Sequence, residues 1–438
     1  MSKQLLKSAL TLLVAFSVVT LSALHPTQAQ KTEKSKQHFS RTSSVMRLTD
    51  EMFKETSKIR ELPILRSIKS GTKSRTDIER MVTLESKSED KLEEIRRQEV
   101  ILKRLGLAPK DFDYRSLMIK SSGASIAGYY LPSTKSFYLA DWIPIEGQKP
   151  VMAHELTHAL QDQHFDLSRF EKIPKSESDY RLAFKSLIEG DAMAVMTVYR
   201  LRNPQMDMKY EMAMRKAMGT PDYELSNKIP HGLSETSYFP YKQGGEWVGR
   251  LYNRGGWNAI TSAFKNPPQS TEQILHLEKY LRNEAPVKIE LPDLSSMLGP
   301  DWKQIEYNVN GEWGYYQILI DFLSGTEETE RAAAGWGGDR FTAYENSKHN
   351  VLFAAMTAWD SDKDAKEFYN AYSKRTDKLY GATLRVDGIL PNTLEAIYWQ
   401  TNTGKVILFR NASKVLILEG VPDSANAQLL IQKMWTGK

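Results

Sequence analysis

The 438-residue chain contains no cysteine. That excludes disulfides, thiolate metal sites, cysteine nucleophiles and cysteine-held iron–sulfur clusters. The expected ligands of any metal are histidine and carboxylate. An excess of one charge is lacking too. The formal net charge is +5, with cations and carboxylates interleaved and no long basic run. This excludes the electrostatic footprint of a nucleic-acid binder. After Ala29 no segment is apolar enough to span a bilayer, and no repeat or low-complexity tract occurs. Histidine is scarce, eight in all, so the placement of each is informative.

The first residues read as a targeting segment. Lys3 and Lys7 form a basic start, Ala9 to Leu24 an uncharged apolar run, and Thr27-Gln28-Ala29 a small-residue cleavage site. This predicts a signal peptide over residues 1–29 and export to the envelope, the periplasm or the medium. An uncleaved anchor is the alternative, because the run approaches spanning length. No membrane insertion is expected after cleavage.

The rest reads as an α+β protein in three parts: an N-terminal helical region (30–122), a helix-rich core (123–300) and a small C-terminal α+β module (301–438). Residues 30–45 are polar and read as a flexible lead-in. Residues 78–105 read as one solvated helix stopped by Gly106 and Pro109. Ser125–Leu131 and Ser136–Leu139 flank Pro132–Lys135, a predicted hairpin. Pro150 then suits the first turn of a buried helix, and residues 179–202 read as a second. Residues 245–282 form helical pieces broken at Gly255-Gly256 and Pro267-Pro268. In the module, Arg340–Tyr344, Val351–Thr357, Ala396–Gln400, Lys405–Phe409 and Lys414–Leu418 read as strands. Ala365–Leu379 and Ala425–Trp435 read as helices. Gly335–Gly338 lacks the Lys-Ser/Thr pair of a phosphate loop and reads as a tight turn.

The chemistry centres on His154-Glu155-Leu156-Thr157-His158. Histidines four apart on a helix lie about 40° apart around its axis, so both can face one ion. The carboxylate beside the first is placed to act as general base toward an ion-activated water. The helix is apolar over most of its surface, where two histidines and a glutamate need partners. Zinc is the expected ion, with one further protein ligand.

Two residues compete for that third position. His164 has metzincin spacing, but that pattern needs a glycine where this chain has Gln161. On an unbroken helix His164 lies about 280° around and about 15 Å along from His154. Glu189 is the better candidate. It sits in an otherwise apolar helix, beside Gly190, which lets another backbone approach closely. Two histidines and a glutamate on two helices is the thermolysin arrangement. Asp191 either orients a ligand histidine or faces solvent. His276 is either an oxyanion donor or a structural residue. The hairpin is either an ordinary core element or a strand edge that holds an extended peptide.

The run His154-Glu155-Leu156-Thr157-His158-Ala159-Leu160-Gln161-Asp162-Gln163-His164-Phe165-Asp166, with Glu189-Gly190-Asp191-Ala192, resembles a family of exported bacterial zinc metallopeptidases. Pro267–His276, Gly335–Arg340, Trp359-Asp360 and Asp364-Ala365 are similar to further segments of it. The resemblance covers roughly residues 80–420. It implies a zincin fold with gluzincin-like ligands: His154, His158 and Glu189 on zinc, with Glu155 as base. The better-known gluzincins carry an acidic residue where this chain has Met193. The expectation is a zinc metallopeptidase acting on a peptide or protein substrate. The alternative is a non-catalytic envelope or interaction protein with a structural or degenerate zincin site. Residues 30–110 are also a candidate removable pro-segment.

Overall fold

A computed structural model describes residues 35–85, 88–117, 126–218, 229–381, 384–390 and 394–436. The expected signal peptide, the boundary at 122–123 and the start of the hairpin at Ser125 lie outside these residues. The class is α+β, with a helical half and a sheet-based half. Among the described residues no helix is long and apolar enough to cross a membrane.

The helical half is built around two buried helices, α4 (Lys149–Phe165) and α5 (Ser178–Arg202). Every residue of α4 from Pro150 to Gln163 is buried, as befits a helix with neighbours on all sides. A long helix, α7 (His231–Lys265), packs along α5. Its backbone breaks at Gly255 and Gly256, where φ becomes −157° and +60°. A Cβ on Gly190 of α5 would lie 2.3 Å from the Gly244 carbonyl of α7, and one on Gly244 would lie 2.2 Å from the Ser186 carbonyl. The two backbones therefore touch where Glu189 is presented.

Two expectations for the N-terminal region are corrected. Residues 35–45 are not an irregular lead-in but part of a helix, α1 (Ser35–Arg60). Val45, Thr49, Met52, Phe53, Thr56, Ile59 and Arg60 are its buried stripe. Two threonines and an arginine in that stripe dilute its apolar signal. The helix expected over 78–105 is two, α2 (Arg75–Glu85) and α3 (Glu89–Arg104). The Ser88 Oγ restarts the chain by capping the Lys91 N–H. Leu105 ends α3, and Gly106 follows in the left-handed region at φ +71°, the expected stop.

The hairpin forms from β2 (Gly128–Leu131) and β3 (Ser136–Ala140). A strand not anticipated, β1 (Lys69–Lys73), adds parallel to β3. The order β1-β3-β2 leaves β2 at an edge. Beyond α5 run α6 (Pro204–Met218), α8 (Thr271–Leu275), α9 (Leu277–Leu281) and α10 (Ser295–Leu298). Ser270 caps α8, its Oγ accepting from the Gln273 N–H.

The second half is one antiparallel seven-stranded sheet in the order β4-β5-β6-β10-β9-β8-β7. Its strands are β4 (Lys303–Asn308), β5 (Trp336–Glu345), β6 (Val351–Trp359), β7 (Leu384–Leu390), β8 (Leu394–Thr401), β9 (Gly404–Asn411) and β10 (Lys414–Val421). Helices α11 (Gly311–Ile320), α12 (Thr326–Ala333) and α13 (Asp362–Tyr380) lie on one face. Helix α14 (Ala427–Thr436) and the segment from Ile289 to Trp302 cover the other. Alternation in β10 shows both faces buried: Val415 and Ile417 face the first layer, Leu416 and Leu418 the second. β4, β7, α11 and α12 were not anticipated. Gly335–Gly338 opens β5, with a bulge between Trp336 and Gly338.

The close α5–α7 crossing gives a direct test. Gly190→Ala is expected to cost about 1–3 kcal/mol of folding free energy by overpacking. Gly249→Ala is the silent control, because its methyl meets nothing within 4 Å. Urea denaturation of both variants measures the difference.

Candidate metal centre

His154 and His158 face α5 from successive turns of α4, and Glu189 faces back. All three are buried, with 3%, 6% and 0% exposure. His154 Nε2 lies 3.2 Å from Glu189 Oε2 and 3.2 Å from His158 Nε2. His158 Nε2 lies 3.4 Å from Glu189 Oε2. A tetrahedral zinc at about 2.0–2.1 Å from each ligand sets its ligand atoms about 3.3 Å apart. The triangle therefore has the dimensions of one face of such a site. Among the described residues these three form a group able to hold a metal ion.

The hydrogen bonds around His158 fix its tautomer. Gln161 Nε2 donates to the Ile188 carbonyl at 3.0 Å and to Asp191 Oδ2 at 3.0 Å. Both of its N–H groups are thereby committed to acceptors, so its oxygen must face His158 Nδ1, 2.9 Å away. An amide oxygen only accepts, so His158 Nδ1 carries the proton and donates. His158 Nε2 then turns its other side to Glu189. An acceptor nitrogen cannot rest 3.4 Å from a carboxylate oxygen without a positive charge between them. In the ion-free protein that charge is a proton. Burial opposes it, but the Glu189 charge and hydrogen bond prevail and raise His158 to about 9. Burial likewise opposes the charge on Glu189, and the two imidazoles outweigh it, holding the carboxyl well below its usual range.

Glu155 is 1% exposed. Its Oε2 accepts from the Tyr130 N–H at 3.0 Å. The Ala140 N–H bonds the Ala127 carbonyl, and antiparallel alternation from that pair turns the Tyr130 N–H away from β3. The open edge of β2 thus holds the glutamate. Burial raises the Glu155 pKa, against the nearby imidazoles, which suits a group that takes up a proton. Glu155 Oε1, Glu189 Oε1 and His154 Nδ1 are buried polar atoms without a hydrogen-bond partner. The two carboxylate oxygens suit a site that receives an ion and its water. The Tyr241 ring stacks on His154 at 6.2 Å.

The other candidates fall elsewhere. His164 is outside the group: α4 continues unbroken through it, and its Nε2 donates to the Pro63 carbonyl at 2.7 Å. Asp191 does not face solvent. It is fully buried and ion-paired to Arg60, Nε to Oδ1 at 2.6 Å. It touches no ligand histidine directly and reaches His158 through Gln161. His276 donates from Nε2 to Glu312 at 2.8 Å, tying α8 to α11. A second acidic cluster, Glu272, Glu284 and Asp360, is bridged by Lys279, whose Nζ contacts all three. Sequence reasoning missed Gln161 as a partner, Arg60 and the Tyr130 N–H. Only Gln161 left a signal, being polar, three residues after His158 and on a buried helix.

Residues 298–430, from the end of α10 into α14, match the family model of a domain of unknown function, DUF8575. The match does not include the His154–Glu189 site. No curated protein and no solved structure matches the chain.

A metal bound at His158 Nε2 would have to displace the proton that the Glu189 carboxylate favours there. Zinc affinity is therefore expected to fall about tenfold per unit as pH drops below about 9, and to level off above it. Competition with a chromophoric chelator across that range measures it. A flat profile below about pH 9 contradicts the exchange of proton for metal.

Proposed function

We propose that this chain is an exported zinc-dependent metallopeptidase with a zincin-like core. The observation that carries the reading is the buried triangle of His154 Nε2, His158 Nε2 and Glu189 Oε2, with edges of 3.2, 3.2 and 3.4 Å. His154, His158 and Glu189 would hold the ion. Zinc, when bound, supplies a Lewis acid that polarises a peptide carbonyl and acidifies water.

The protein's own groups do the rest. Glu155 receives the proton of the attacking water at Oε1, while the Tyr130 N–H holds Oε2 and fixes the carboxylate's direction. Glu155 then returns that proton to the leaving amine. Peptide, rather than another hydrolysable bond, is favoured by the edge position of β2 beside the base. An extended chain can add there through the main-chain groups of β2 other than the Tyr130 N–H, which is taken by Glu155.

The competing reading is a non-catalytic envelope or interaction protein whose metal is structural. Structural zinc is normally closed by four protein ligands. Among the described residues the group offers three, which supports a site that keeps one position for reactants.

Purified protein is expected to bind about one zinc per chain and to cleave casein or a peptide library in a chelator-sensitive manner. Glu155→Gln should retain the metal and lose activity by roughly 100-fold or more. Glu189→Ala should lose the metal. Zinc analysis paired with cleavage assays separates the readings. Glu155→Gln with full turnover removes the assigned base, and activity surviving complete metal removal removes the metallopeptidase.

A further inference from the structure

We propose that Arg60, at the end of α1, is a positioning residue of the metal centre, and that α1 is a permanent part of the site. The inference rests on the metal reading above. It joins two facts that lie far apart in sequence. The His158 tautomer is dictated by the orientation of Gln161, and that orientation is dictated by Asp191 and the Ile188 carbonyl. Asp191 is in turn held by Arg60, 131 positions earlier.

Each link is buried. Arg60, Gln161 and Asp191 are 0% exposed. Arg60 is itself fixed on three sides. Its Nε donates to Asp191, its Nη1 donates to Thr261 Oγ1 at 3.3 Å, and its guanidinium lies 4.9 Å from the Trp257 ring centre. Thr261 and Trp257 lie just past the Gly255-Gly256 break in α7. The break thus lets the end of α7 close over the Arg60 head.

The chain of contacts has one polarity. Arg60 donates to Asp191, Asp191 accepts from Gln161, and Gln161 accepts from His158. Reversing the Gln161 amide would set its oxygen against the Ile188 carbonyl and the Asp191 carboxylate, both acceptors. The relay therefore forces the ring proton onto Nδ1 and leaves Nε2 as the ligating atom. Without Arg60, the Asp191 carboxylate loses the charged partner that fixes it, and the Gln161 amide is left with the Ile188 carbonyl as its one fixed reference. Residues 30–110 as a whole are then not a dispensable pro-segment. Any processing that preserves the relay must leave Arg60 in the mature chain. The same helix buries Val45, Met52, Phe53 and Ile59 in the core that contains α4 and α5.

The test uses the full-length mature chain and zinc alone, with affinity read by chelator competition and metal-free stability read by thermal melting. Arg60→Met is expected to weaken zinc binding about tenfold, the low end of the effect of losing a direct partner of a ligand histidine, because Arg60 acts through Asp191 and Gln161. Arg60→Lys should recover part of the loss. If Arg60→Met does not fold, Arg60→Met with Asp191→Asn removes both charges together, and it should still bind zinc at least about tenfold more weakly. Gln161→Met combined with Arg60→Met should be no worse than the weaker single variant, because both act through one chain. A purely structural role predicts a lower melting temperature with unchanged zinc affinity. Folded Arg60→Met, or the charge-free double variant, binding zinc within twofold of wild type overturns the relay alone. A wild-type protein that binds no zinc overturns the metal reading and the relay together.

Discussion

Two imidazoles and a carboxylate, all shut away from water, meet at one point with less than 3.5 Å between their atoms. Such a meeting is stable only around positive charge. Most of the helical half can be understood as what that requirement imposes. α4 must be covered on every side, so its polar residues must find partners inside the protein. α5 must approach closely enough for Glu189 to reach both histidines. The glycine pair at 190 and 244 lets α7 press α5 into place. Arg60 is spent on Asp191, not on Glu189, and the cation whose charge acts on Glu189 is Lys185, one turn earlier on α5.

The sheet-based half contributes by anchoring the start of α5, the helix that carries Glu189. Arg340 of β5 donates to the Ser176 carbonyl and to Glu177, immediately before α5. Asp179, in the first turn of α5, accepts from the Thr271 N–H and hydroxyl. That hydroxyl in turn accepts from the Trp313 N–H of α11. Asp339 accepts from the Asn310 and Gly311 N–H groups and from the Trp336 indole. Burial lifts the Asp179 carboxyl to about 8 and that of Asp339 to about 6. The seam between the halves is thus polar, buried and made of directed bonds. Directed bonds fix position more sharply than apolar contact does. The N-terminal helices divide between the halves: α1 joins the site, while α3 joins the sheet through Arg96 to Glu345 and through the Leu105 carbonyl to Arg375.

What the sequence made legible follows from how local each cause is. The spacing of His154 and His158 is a property of one helix turn, and it placed both correctly on one face. Glu189 was legible because a carboxylate within an apolar periodic run is costly unless used. Gly190 was legible because a glycine inside such a run usually marks a close approach. The hairpin announced itself through aromatic strands around a proline turn. β1 did not, because Lys-Ser-Gly-Thr-Lys has neither alternation nor bulk, and it becomes a strand only by pairing with β3. α1 was hidden by its own composition. Its buried stripe contains Arg60 and two threonines, polar residues that lower the apolar signal. Partners that come from another element, such as Arg60 or the Tyr130 N–H, leave no periodic trace at all.

Gln161 joins these threads. At that position a metzincin needs glycine to end the helix and swing a third histidine toward the metal. Here the helix runs on, and the same position supplies an amide that holds His158 instead. A single residue therefore separates two ways of building a three-ligand site. With glycine, the backbone turns and the third ligand comes from the same segment. With glutamine, the helix stays straight, His164 is carried away to the Pro63 carbonyl, and the third ligand has to come from a neighbouring helix. That neighbour must then be held in register with α4. Gln161 does this too, because it bonds the Ile188 carbonyl and Asp191, the residues that bracket Glu189-Gly190. The side chain that excludes one ligand geometry ties the two ligand-bearing helices together in the other.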